Sequence, residues 1–206
     1  MDNATEESIM DIIGKLKKID YINPEDIPNI DLYMDQVTTF MEKELASSKR
    51  HEDDKILTKT MINNYAKNNL LPPPVKKKYS REHMLLLVFI YYFKNMLSFH
   101  DIEALFAPIT EGHFMDASGL SLQDIYEEVF SMEYEQMKRL KEDLLRKFHA
   151  SEESFTDQKE DKDYLQLFTF ICALGFDVFL KKQAMEMLID QIREDYPVDH
   201  SKKKKS

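Results

Sequence analysis

Apolar residues recur at helical spacing along most of the chain. Ile9, Ile12, Ile13, Leu16 and Ile19 predict an amphipathic helix over residues 5–19. NPEDIPNID, residues 23–31, then interrupts the chain with two prolines. Val37, Phe40, Met41 and Leu45 give the apolar side of a second helix, from about Leu32 to Ala46, and the polar run SSKRHEDD predicts an exposed loop. Thr58 is a good N-cap for a third helix, with Met61, Ile62 and Tyr65 on one side. That helix ends near Asn69, because asparagine tolerates the left-handed conformation that closes many helices and Pro72 cannot readily extend one.

Ser80 caps the next helix, residues 81–97, which is apolar nearly all round and so belongs at the core centre. Ser98 and Asp101 resemble a capping box and open a short helix, DIEALFA. Residues 108–119 carry Pro108, Gly112 and Gly119 and read as a loop. A long helix is expected from Ser121 to about Phe148, with Met137, Leu140, Leu144 and Phe148 on one apolar stripe. A polar connection (151–163), a last helix from Tyr164 to about Arg193 and a disordered basic tail complete the chain.

The most apolar run, YLQLFTFICALGFDVFL (164–180), contains Gln166 and Asp177 and falls short of the roughly 20 apolar residues of a membrane span. It reads as a buried core helix, and no membrane partner is expected. Only four glycines occur, which favours helices over turn-rich β architecture. Cys172 is the single cysteine, so neither an intramolecular disulfide nor a cysteine-based zinc cluster is expected. That fits a reducing cytoplasm, as does an N-terminus, MDNATEESIMD, unlike a secretory signal. The six histidines show no HxxxH or HExxH spacing, and neither a Gly-rich phosphate loop nor GxSxG occurs. No catalytic residue, metal or cofactor is expected, and the chain does not read as an enzyme.

Charge changes the picture at one place. The net charge is −10, yet residues 55–81 contain no Asp or Glu. Lys55, Lys59, Lys67, Lys76, Lys77, Lys78 and Arg81 put seven positive charges there, leaving −17 for the rest. A confined basic zone on an acidic body is the pattern of an anion-binding face. A lysine run alone is usually a solvated loop. Here it follows three prolines, which limit the entropy lost on binding, and a helix carrying exposed amides. Lysines neutralise phosphates, and asparagines read adenine edges in a major groove.

Residues 57–106, from LTKTMINNYAK through LLPPPVKKKYSREH to the helix opening SFHDIEALF, resemble the DNA-binding half of the mercury-resistance-regulator (MerR) superfamily. Residues 27–190, with the motif DLYMDQVTTFMEKEL, resemble more closely an uncharacterised bacterial family, mainly from Firmicutes, described from sequence as MerR-like. The superfamily carries an arginine and a tyrosine pair where this chain has Asn63, Asn64 and Tyr65. It also carries a glycine and arginine in its wing, where this chain has Lys77, Lys78 and Tyr79. These departures bear on base reading more than on fold.

The resulting expectation is an all-α fold with a MerR-like winged helix-turn-helix, minimal or no β ribbon in the wing, and a C-terminal helical region. Its segments are 1–26 (N-terminal helix and linker), 27–110 (winged helix-turn-helix), 111–196 (C-terminal dimerisation or sensor region) and 197–206 (tail). The expected function is a cytoplasmic transcriptional regulator bound to double-stranded DNA through Lys59, Thr60, Asn63, Asn64, Lys67, Lys76, Lys77, Lys78, Tyr79 and Arg81. Met137, Leu140, Leu144 and Phe148 either dimerise two copies or pack on the last helix. A small-molecule or protein effector is compatible, with Phe168, Phe176, Phe179 and Met187 lining a sensor pocket or forming plain core. The rival reading is a helical protein-interaction adaptor that has lost DNA binding.

Overall fold

The computed structural model describes residues 3–16, 22–114 and 119–197, with the side chains of 3–6, 133–135 and 137 outside the described set. Among these residues the fold is all-α apart from one two-stranded sheet. The order is α1 (Asn3–Leu16), β1 (Leu32–Tyr33), α2 (Met34–Glu44), α3 (Lys59–Lys67), β2 (Lys78–Tyr79), α4 (Arg81–Phe93), α5 (Phe99–Gly112), α6 (Leu122–Ser131), α7 (Glu133–Glu152) and α8 (Lys162–Asp195). The strands are antiparallel, pairing Leu32 with Tyr79 and Tyr33 with Lys78. Ile19 and the basic tail lie outside the described residues.

The chain forms two compact units: Met1–Ile19 with Ser131–Gln183, and Asp20–Phe130 with Ala184–Ser206. These boundaries differ from the expected segments. The expected break near 110 is bridged because α5 continues through Pro108 to Gly112. Proline in a helix interior costs a hydrogen bond, but Ile109 just beyond it packs on the core, which favours keeping the helical path. The predicted helix 121–148 is in fact two helices, α6 and α7, parted at Met132.

In the larger unit, every residue from 83 to 90 of α4 is buried, as its all-round apolar pattern requires. Val37 and Met41 of α2, Ile62 and Tyr65 of α3, Ile102 and Phe106 of α5, and Tyr126 of α6 surround it. The Tyr126 hydroxyl donates to the Ile22 carbonyl at 2.6 Å, so a buried polar group is satisfied. Ser98 and Asp101 form the predicted capping box, and Asp101 also takes Arg193 of α8 at 2.6 Å.

In the smaller unit, Ile9 and Ile13 of α1, Leu144 and Phe148 of α7 and Phe170 of α8 form a separate core. Gln166 is buried and donates to the carbonyls of Glu152 (2.6 Å) and Ser154 (2.9 Å). Lys147 lies between Asp143 and Asp177, tying α7 to α8. α8 is not the buried core helix its composition predicts. By length and composition it could cross a membrane, yet only 11% of its most apolar window is buried.

Candidate nucleic-acid interface

The acid-free zone folds into α3 and a β-hairpin. Thr58 caps α3, its hydroxyl accepting from the Met61 amide at 3.2 Å. Asn69 ends it at φ 61°, with the Leu70 amide on the Tyr65 carbonyl (2.9 Å) and the Asn69 amide on the Ala66 carbonyl (3.4 Å). That pair of bonds is the Schellman closure, with asparagine in the left-handed position usually held by glycine. Ile62 and Tyr65 turn inward, and burial pushes the Tyr65 phenol up. The opposite face leaves Lys59, Thr60, Asn63, Asn64 and Lys67 exposed together. Lys59 pairs with Asp35 in the first turn of α2, an exposed pair that a competing phosphate can open at small cost.

After Pro72, Pro73 and Pro74, the chain makes a two-residue hairpin. Val75 and Lys78 exchange both backbone bonds, at 3.1 and 2.9 Å. The two residues between them, Lys76 (φ 51°) and Lys77 (φ 65°), both take left-handed backbone. Positive φ at both central positions is the mark of a type I′ turn, whose preferred residues are Asn and Gly. Here two exposed lysines occupy it. Lys78 leans over the Tyr33 ring, 5.3 Å from its centroid. The Tyr33–Asp35 junction of β1 and α2 therefore touches Lys78 on the hairpin and Lys59 on α3.

Two predicted contacts lie elsewhere. Tyr79 is buried beneath the hairpin, edge-on to His83, and burial raises its phenol. Arg81 donates to the Ile27 carbonyl at 2.8 Å and to that of Pro24 at 2.6 Å. Its guanidinium is thus a tie between the start of α4 and the segment before β1. Both leave the candidate DNA face, because packing or backbone bonding has taken their contact groups.

His83 was not singled out by sequence. It is buried, and its Nδ1 accepts from the Ser80 amide at 3.0 Å. That role leaves Nε2 to donate to the Pro72 carbonyl at 3.1 Å. The ring thereby fastens the proline stretch to the cap of α4. Burial holds its pKa below the ordinary range, against the raising effect of its bonds to the proline stretch. Ser80 three residues before an acceptor was the available signal, but the third capping-box position usually holds Glu or Gln.

In the smaller unit, Leu144 and Phe148 are covered by the chain itself, Leu140 is partly exposed, and the Met137 side chain lies outside the described set. That packing takes two of the four stripe residues away from any mate on α7. Phe168, Phe176, Phe179 and Met187 are all exposed, so they form neither an enclosed sensor pocket nor core. Among the described residues no group of three or more His, Cys, Asp or Glu is placed to hold a metal.

A family model for a domain of unknown function, DUF1836, matches residues 22–129. The chain belongs to the DUF1836 family. The DUF1836 match coincides with the long segment of the larger unit and contains α3, the hairpin and His83, while α1, α7 and α8 fall outside it. No curated protein and no solved structure matches the chain.

Proposed function

We propose that this protein is a cytoplasmic DNA-binding transcriptional regulator of MerR-like type. α3 is the recognition helix, and the hairpin 75–78 is the wing. The exposed face of α3 enters the major groove, where Asn63 and Asn64 supply amides for adenine edges. Lys76 and Lys77 hold phosphates beside the groove, while Lys59, Thr60 and Lys67 fix the register of the helix. The observation that carries this reading is the pair of lysines in a turn that strains them. A left-handed residue without a glycine or asparagine side chain costs about 1–2 kcal/mol, so a lysine pair there is best explained by a use for its charge.

The test is fluorescence anisotropy with the DNA upstream of the protein's own gene and with an unrelated duplex, across a salt series. Tighter binding to the upstream DNA, falling steeply with salt, is expected. Equal weak binding to both would leave only a generic basic patch. A protein-interaction adaptor without DNA binding is the second reading, favoured by Asp35 within the basic face and by the exposed apolar side of α8. No retention on either duplex at low salt would select it.

A further inference from the structure

From the place where α8 ends we infer that the lysine run Lys202–Lys205 is a second arm of the DNA site, holding phosphates beside the groove that α3 enters. The inference rests on the DNA-binding reading and adds contacts to it. The four lysines lie outside the described residues, and the helix that leads to them sets where they start. From Ala184 onward α8 belongs to the larger unit, and Ile189 is buried in that unit's core. One turn further on, Arg193 donates to one Asp101 oxygen at 2.6 Å. Asp101 is the third residue of α5, and its other oxygen accepts from the Ser98 amide at 3.2 Å and from the Ser98 hydroxyl at 2.6 Å. Phe99, the first residue of α5, has its ring 6.2 Å from the Tyr65 ring on the inward side of α3. The end of α8 is therefore fastened to the helix start that packs against the recognition helix.

Chain length gives the reach. Lys202 is five residues beyond Pro197 and Lys205 is eight. At roughly 3.3–3.6 Å per residue they extend to about 17 Å and about 28 Å from the helix end. An α-helix with its side chains is only about 10–12 Å across, so that reach passes α3 and arrives at the phosphates flanking its groove. Charge gives the partner. Without these four lysines the chain carries −14. Glu194, Asp195 and Asp199 lie around the end of α8, and Arg193 is already bonded to Asp101 and Asp190. Such an end repels DNA, and the four lysines that follow reverse the sign. Carboxylates scattered over the body are a sparser partner than a duplex, which presents one phosphate charge per about 1.7 Å of its axis.

The test replaces Lys202, Lys203, Lys204 and Lys205 together with Gln in the full chain and measures anisotropy with the upstream and unrelated duplexes across a salt series. Two to four lost phosphate contacts should flatten the slope of log K on log salt by about 1.8–3.6. Affinity for both duplexes should fall more than about tenfold at about 0.1 M salt, with the melting temperature and the preference for upstream DNA kept. Arg193→Gln frees the end of α8, so it should weaken binding about three- to tenfold when the lysines are present and not at all in the four-glutamine variant. An unchanged salt slope in the four-glutamine variant would overturn the inference and leave the DNA-binding reading intact. Tighter DNA binding by that variant would also overturn it and assign the lysines to the acidic body. An Arg193→Gln effect that persists without the lysines would refute the anchoring through Asp101. Failure of the unaltered chain to bind either duplex would sink the DNA-binding reading and this inference with it.

Discussion

Replacing Lys76 with Asn and Lys77 with Gly separates the cost of the hairpin from its use. Both positions are left-handed, at φ 51° and 65°, and both side chains are exposed, so the substitution changes backbone compatibility and charge but no core contact. Relieving two lysines gains about 1–2 kcal/mol each. The glycine returns about 0.5–1 kcal/mol of that through the greater freedom of the unfolded chain. A net gain of about 1–3.5 kcal/mol remains, which for a chain of this size raises the melting temperature by about 2–14 °C.

The same variant should bind DNA less well. Two lost phosphate contacts flatten the dependence of log K on log salt by about 1.8. Calorimetry or urea unfolding reads the first effect, and anisotropy across a salt series reads the second. A melting temperature that is unchanged or lower would refute the strain argument. A higher melting temperature with an unchanged salt slope would remove the wing from the DNA face, and with it the observation that carries the proposal. Stability gained as binding is lost is the joint outcome that a merely solvated lysine loop does not produce.

Asn63→Ala and Asn64→Ala should each reduce the preference for upstream over unrelated DNA by about 1–3 kcal/mol where the amide makes a bidentate contact, leaving unrelated binding unchanged in competition anisotropy. Arg81→Ala should destabilise the protein by about 2–4 kcal/mol in urea unfolding, through loss of its bonds to the Pro24 and Ile27 carbonyls, with the salt slope of DNA binding unaltered. His83 is held below its ordinary pKa, so the unfolded chain binds a proton that the folded chain refuses; its stabilisation is full above about pH 6.5 and declines as pH falls below that. Glu82 and Asp31 oppose the shift. The melting temperature should therefore fall between about pH 7.5 and 5.5, and fall less in His83→Gln, which keeps an acceptor for the Ser80 amide; equal slopes would contradict the assignment.

Helices were legible where periodicity and caps agreed. Thr58, Asn69, Ser80 and the Ser98–Asp101 pair mark ends that the structure keeps. Two boundaries were not legible, for different reasons. At Pro108 the local rule against proline lost to tertiary packing of Ile109. At Met132 the apolar spacing continues across a break, so the pattern has no mark where α6 gives way to α7. The contact residues divided in the same way. Type and charge placed Asn63, Asn64, Lys76 and Lys77 at the surface, whereas the inward turn of Tyr79 and the carbonyls claimed by Arg81 depend on chain segments distant in sequence. For α8, composition measured how much apolar surface needs cover and was silent on what supplies it.

The left-handed positions show why the lysine turn must be tested by substitution. Among the described residues five non-glycine residues have positive φ: Asn69, Lys76, Lys77, Phe155 and Asp161. Asn69 and Asp161 are of types that tolerate that conformation. Phe155 is not, so this glycine-poor chain accepts such a cost at a single site elsewhere. Two adjacent lysines are a different case, because a type I′ turn has a well-matched pair of residues in Asn-Gly and the chain does not use it. Asn69, seven residues earlier, takes the same backbone region with the tolerant residue type. If charge at the tip were idle, the Asn-Gly hairpin would be better in every measurable respect. The proposal therefore stands on whether the lysine pair outperforms it in one, the binding of a polyanion.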